Sequence, residues 1–214
     1  MTYTRAIGIG CNRIIRLIVR GLALSKIHPN VLTFLGLVIN IVAAVLLAGG
    51  HFRAAGFVII GAGLFDMVDG RVARETNRVT RFGGFFDSVL DRYSDLALLM
   101  GLLVYYAAIN RFGYIVLTAI VMTGSVMVSY TRARAENTIP KCKVGFLERP
   151  ERVVLLIIGA LFDRMAPVLW VLAILTNLTV IHRMIYTWQE TKQLEDAQRG
   201  KGLNLRQRTS TLPE

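Results

Sequence analysis

Cysteine is scarce in this chain. Cys11 and Cys142 are the only two in 214 residues. They have no metal-ligand spacing, so neither a disulfide framework, a thiolate zinc site nor thiol chemistry is expected, and both belong in a reducing compartment. A cleavable leader is not expected either. The first apolar stretch is interrupted by Arg13, Arg16 and Arg20, and no small-residue cleavage site follows it. There is no internal repeat, no low-complexity tract and no sign of a second folded domain. Negative charge is in short supply, with 14 Asp and Glu against 25 Lys and Arg.

What is abundant is apolar surface. Hydrophobic residues make up 54% of the chain, and the mean hydropathy is +0.51. They come in long blocks, which points to one domain embedded in a membrane and excludes a soluble nucleic-acid-binding module. In lipid the backbone must satisfy its own hydrogen bonds, so the fold class is all-α. The net charge of +11 then reads as attraction to anionic headgroups, because the basic residues flank the apolar blocks.

Residues 3–24 read as an amphipathic helix lying in the headgroup plane. Arg13, Arg16 and Arg20 share one face, and Ile14, Ile15, Ile18, Val19 and Leu22 lie away from it. A first membrane span is the competing reading, and three arginines would be costly at depth. His28-Pro29-Asn30 breaks the chain. Six candidate spans follow, at residues 31–49, 54–72, 82–108, 114–135, 150–162 and 167–188. The fifth is the weakest because its apolar run is short. The expected architecture is therefore an interfacial helix over residues 1–28, a six-helix transmembrane catalytic domain over 29–189, and a polar, flexible cytoplasmic tail over 190–214. Of the 25 lysines and arginines, only Arg53, Arg111 and Arg164 fall on the far side, and Arg92 lies inside the third stretch. That bias puts both termini in the cytoplasm.

The second and third stretches carry the chemistry. Asp66 and Asp69 are three residues apart and share a helix face; Asp87 and Asp91 are four apart and do the same. With a turn near Arg78, an antiparallel hairpin brings the four carboxylates to one level. Bare anions cannot cluster in a poorly hydrated site without some taking up protons. Hard divalent cations remove the conflict: an all-oxygen set suits Mg²⁺ or Mn²⁺, with Ca²⁺ allowed by ligand type. Two such ions suit in-line attack at phosphorus. The competing reading is a row of polar residues lining an ion path or pairing with Arg74 and Arg92. Gly70 and Gly83 lack a Cβ, which lets a ligand or a neighbouring helix approach closely.

Together these residues spell Asp66-x2-Asp69-Gly70-x2-Ala73-Arg74-x8-Gly83-x3-Asp87-x3-Asp91. The pattern resembles the complete signature of the CDP-alcohol phosphatidyltransferase family, and the interfacial first helix, six spans and cytoplasmic ends are similar to that family over most of the chain. The resemblance implies that Asp66, Asp69, Asp87 and Asp91 bind two metal ions and that Asp91 is also the general base. It implies that Gly70, Arg74 and Thr80, with the segment Pro29, Asn30, Val31 and Leu32, hold the nucleotide end of a CDP-lipid. Asn30 is equally suited to cap a helix. The resemblance further implies a homodimer.

A second basic cluster contains Arg132 and Arg134, then Arg149 and Arg152 around Pro150, with Arg183 near the end of the sixth stretch. Arg132, Arg149, Arg152 and Arg183 are candidates for holding an acceptor phosphate, since guanidinium forks match phosphate oxygens. Orientation signalling is the plainer alternative. The Ala-Arg-Ala-Glu run at Ala133 and the Glu-Arg-Pro-Glu-Arg run at Glu148 are similar to phosphatidylinositol-phosphate synthases, whose acceptor is inositol 1-phosphate. Arg132, where Lys is usual, and residues 137–143 depart from that pattern, which leaves glycerol 3-phosphate open as acceptor. A divalent-cation transporter is the reading from another class. It would require polar residues to continue across the other spans, and spans one, four and six carry few.

Overall fold

The computed structural model describes residues 29–75 and 79–210, with side chains described over 30–66 and 79–197. The expected interfacial helix, the turn at Arg78 and the side chains of Pro29, Asp69, Gly70 and Arg74 lie outside these. The described residues form six helices and no strand: α1 Pro29–Ala48, α2 Phe52–Glu75, α3 Arg81–Ala108, α4 Phe112–Ala135, α5 Arg149–Leu161 and α6 Met165–Ser210. Three of them are long and apolar enough to cross a membrane: Asn30–Ala48, Phe112–Ala135 and Met165–Ala197, with hydropathies of 2.7, 1.8 and 1.8.

The helices are joined pairwise by three tight turns built in one way. Gly50, Asn110 and Asp163 have φ of 76°, 55° and 54°, the left-handed conformation open to glycine and tolerated by Asn and Asp. In each case two successive amides fold back onto the last turn. His51 N–H donates to Leu46 O at 2.9 Å, Arg111 N–H to Tyr106 O at 2.9 Å, and Arg164 N–H to Gly159 O at 2.8 Å. These turns connect α1 to α2, α3 to α4 and α5 to α6, where the basic residues are few.

α1 packs on both α2 and α3, α4 packs on α6, and contacts of α2 with α5, α3 with α4 and α5 with α6 close the bundle. Small residues allow the closest approaches. A Cβ at Gly101 of α3 would lie 2.2 Å from the Ala44 carbonyl oxygen of α1, and one at Gly124 of α4 would lie 2.5 Å from Thr176 Oγ1 of α6. Buried threonines satisfy themselves on their own helices: the hydroxyls of Thr118, Thr176 and Thr179 donate to the carbonyls of Tyr114, Leu172 and Leu175, each at 2.7 Å. Large apolar side chains such as Phe34, Val45, Phe57, Trp170 and Ile181 point outward, as a lipid-facing surface requires.

The polar segment from residue 190 is helical over its described length, as α6 continues to Ser210. Residues 189–198 are dominated by Gln, Glu, Lys, Leu and Ala, all of good helix propensity, with no Pro or Gly among them. Lys192 Nζ also lies one turn on from Trp188, 5.8 Å from its ring centroid.

Candidate functional site

Asp66 in the second half of α2 and Asp87 and Asp91 in the first three turns of α3 come together. Each offers a carboxylate oxygen, and the three oxygens lie within 4.8 Å of one another. Helix geometry does this: residues four apart on α3 stack on one face, and the antiparallel α2 presents Asp66 to that face. Thr80 caps α3 by accepting the Gly83 N–H on its Oγ1 at 2.9 Å. A Cβ at Gly83 would stand 3.4 Å from Asn30 Oδ1, so the start of α1 reaches the start of α3. Of the rest of that expected segment, Val31 is half exposed and Leu32 is packed in the core.

The arginines converge from the opposite side. Arg149, at the first turn of α5, reaches across to the carboxylates: its Nη1 lies 3.0 Å from Asp66 Oδ2 and 2.9 Å from Asp91 Oδ1. Arg152 is buried and sets its Nη2 2.6 Å from Asp95 Oδ2. Arg132 and Arg183 meet on one oxygen, Glu148 Oε1, at 3.2 and 3.3 Å. Arg183 is held further by the carbonyls of Val144 at 2.8 Å and Val128 at 2.5 Å. Arg92 donates to its own helix at the Ser88 carbonyl and, among the described residues, makes no ion pair with Asp66, Asp87 or Asp91. All four arginines singled out for an acceptor phosphate thus line one polar cavity of about 380 Å³, together with Asp91 and Asp95.

On the other flank of Asp91 lies a mainly apolar cavity of about 360 Å³ between α1, α2, α3 and α5. It is lined by residues such as Leu37, Ile60, Leu90 and Val153 and ends on Asp66. The two cavities share Asp91, Asp95, Arg149 and Pro150 as a common wall.

Two carboxylates that line the polar cavity were missed by the sequence argument. Asp95 continues the Asp87, Asp91 row by one more turn, and the four-residue step was the signal that could have found it. Glu148 sits in the Glu-Arg-Pro-Glu-Arg run, where its backbone N–H donates to Glu151 Oε2 at 2.9 Å and so starts α5. Its contacts with Arg132 and Arg183 depend on distant segments and left no local trace.

The carboxylate group fits a hard divalent cation. Its donors are all oxygen, they are partly buried, and they converge on a point where the Arg149 guanidinium already finds positive charge favoured. The arrangement suits electrostatic work on phosphates: acidic oxygens on one side of Asp91, guanidinium donors on the other.

Known proteins resemble this chain over most of its length. The archaetidylinositol phosphate synthase of Methanothermobacter thermautotrophicus is 35% identical over 167 residues, covering 75% of this chain and 83% of that protein. The phosphatidylinositol phosphate synthase of Mycobacterium tuberculosis is 36% identical over 187 residues, covering 82% and 86%. The crystal structure of the M. tuberculosis enzyme with CDP-DAG bound superposes with a TM-score of 0.76 at 34% identity, over 82% of this chain and 94% of that one. Its complex with manganese and citrate superposes with a TM-score of 0.75 at 33% identity, over 81% and 88%. Residues 26–189 match the family described as CDP-alcohol phosphatidyltransferase, and with the aspartate signature and its assembled carboxylates this chain belongs to that family.

Proposed function

We propose that this enzyme transfers the phosphatidyl group of CDP-diacylglycerol to inositol 1-phosphate, releasing CMP, as a step of phospholipid biosynthesis. The observation that carries this reading is the common wall. A lipid-linked donor in the apolar cavity and a phosphate-bearing acceptor in the arginine-lined cavity would meet at Asp91, which borders both. The names of the relatives, and the CDP-DAG and manganese in the M. tuberculosis structures, support the donor, the acceptor class and the metal. Membership of an enzyme family takes the place of the transporter reading.

In the reaction, Asp66, Asp69, Asp87 and Asp91 would hold two ions, Mg²⁺ or Mn²⁺. Bound there, the ions would supply the charge that neutralises the diphosphate and the departing CMP. Asp91 accepts the proton of the acceptor hydroxyl. That oxygen forms a bond to the phosphorus carrying diacylglycerol, and the bond from this phosphorus to the CMP oxygen breaks, its electron pair leaving with CMP. No covalent enzyme intermediate is needed. Arg132, Arg149, Arg152 and Arg183 hold the acceptor's phosphate, which fixes the direction of its hydroxyl. Pro29, Asn30, Val31, Leu32, Gly70, Arg74 and Thr80 hold the nucleotide end; the approach of Asn30 and Thr80 to Gly83 supports this.

We read all six helices as membrane spans, with both termini cytoplasmic and the enzyme a homodimer in the cell membrane. The bias of basic residues and the like placement of the three tight turns support the topology.

The test is an acceptor panel: purified protein, CDP-diacylglycerol and Mg²⁺ or Mn²⁺, with inositol 1-phosphate, glycerol 3-phosphate, free inositol or serine in turn. Metal-dependent CMP release with inositol 1-phosphate supports the proposal. Product with glycerol 3-phosphate alone would overturn the acceptor and leave the chemistry standing.

A further inference from the structure

We propose that Asp95 is a positioning residue that sets recognition of the acceptor's phosphate by aiming Arg149 and Arg152 into the polar cavity. The inference rests on the reading of that cavity as the acceptor site. It adds a carboxylate that lies outside the aspartate signature and outside the cluster of Asp66, Asp87 and Asp91.

Asp95 is 6% exposed and Arg152 4%. A carboxylate so deep is stable as an anion only with cations beside it, and the two Asp95 oxygens face different ones. Oδ2 lies 2.6 Å from Arg152 Nη2, and Oδ1 lies 3.5 Å from Arg149 Nε. The contact with Arg152 uses Nη2 and leaves Nη1 over: Nη1 is buried and has no hydrogen-bond partner among the described residues. The contact of Arg149 Nε with Asp95 is a charge contact at 3.5 Å that leaves this N–H, too, without a hydrogen bond among the described residues. A buried guanidinium N–H without an acceptor is costly. Both arginines line the polar cavity, so an anion entering it would supply the missing acceptors. A phosphate monoester, with several oxygens at fork spacing, suits two guanidiniums held in one register.

Arg132 and Arg183 are tethered differently, by the half-exposed Glu148. Among the described residues Asp95 is the carboxylate that contacts both inner arginines, Arg149 and Arg152, and its effect should fall on acceptor binding more than on the donor.

The test compares wild type with D95N in detergent, titrating each substrate separately. Wild type is first assayed with inositol 1-phosphate and glycerol 3-phosphate; if it used neither and took only unphosphorylated alcohols, the acceptor reading would fail at that stage. With whichever phosphorylated acceptor is used, D95N should raise its KM about tenfold or more, leaving the KM for CDP-diacylglycerol within about twofold. Inhibition by inorganic phosphate should weaken in parallel. An unchanged acceptor KM, or equal rises for both substrates, would overturn the role of Asp95. Should D95N not fold, D95E, which keeps the charge and moves it by one methylene, should raise the same KM alone, and an unaltered value there overturns the proposal equally.

Discussion

Arg149 Nη1 stands 2.9 Å from Asp91 Oδ1, so the first turn of α5 is tied directly to the face of α3 that bears the carboxylates. The same nitrogen contacts Asp66 on α2 at 3.0 Å. One guanidinium thus links three helices at the point where the two cavities touch. A cation held there opposes the entry of a second one by Coulomb repulsion. R149A should therefore bind Mn²⁺ more tightly than wild type, by a few-fold, while the KM for the phosphorylated acceptor rises. Mn²⁺ electron paramagnetic resonance and initial-rate kinetics would measure the two effects, and weaker Mn²⁺ binding in R149A would contradict the geometry.

Removal of a single carboxylate from the cluster should cost more than any arginine change. D87N removes a proposed ligand oxygen and is expected to lower kcat by about a thousandfold or more, in line with the loss of several kcal/mol of charge stabilisation. Chelation of divalent ions should abolish turnover, and Mg²⁺ or Mn²⁺ should restore it. Full activity in the presence of excess chelator would remove the metal from the proposal.

In the proposed mechanism Asp91 has a second duty, as the base, which separates it from its neighbours. D91N keeps the shape of the side chain and loses the basicity, so turnover should fall by at least about a hundredfold even at saturating metal. Near-full turnover in metal-replete membranes would refute its assignment as the base.

The contact of α1 with α3 sets how close these walls come. A Cβ at Gly101 would meet the Ala44 carbonyl at 2.2 Å. G101A should therefore destabilise the protein by about 1–3 kcal/mol through overpacking, read as a lower Tm in detergent. Gly61 of α2 has open space where its Cβ would sit, and G61A should leave Tm unchanged or raise it slightly. Equal shifts for the two would show that α1 and α3 are not in this close contact.

Much of the candidate site could be read from residue order because its parts lie close along the chain. The step from Asp87 to Asp91 matches the helical period, and Asp66, close along the chain on the preceding helix, joins them. The helix ends were legible for a similar reason. The turns at Gly50, Asn110 and Asp163 carry residues that accept positive φ, and the observed helices begin and end within a few residues of the expected ones, except that α6 continues past the expected end at 188 to Ser210. Asp95 carried a local signal, the four-residue step from Asp91 that the motif stops short of, whereas Glu148 escaped notice because its partners Arg132 and Arg183 come from distant segments.

Sequence alone determined the helical class, the membrane setting and the hairpin of acidic residues, all consequences of hydropathy and of side chains a few positions apart. Only the tertiary structure decided which arginine meets which carboxylate. The link from Arg149 to Asp66 spans 83 positions, and that from Arg152 to Asp95 spans 57. Such pairings are fixed by how α5 packs against α2 and how the bundle closes around it, and no local periodicity records that packing.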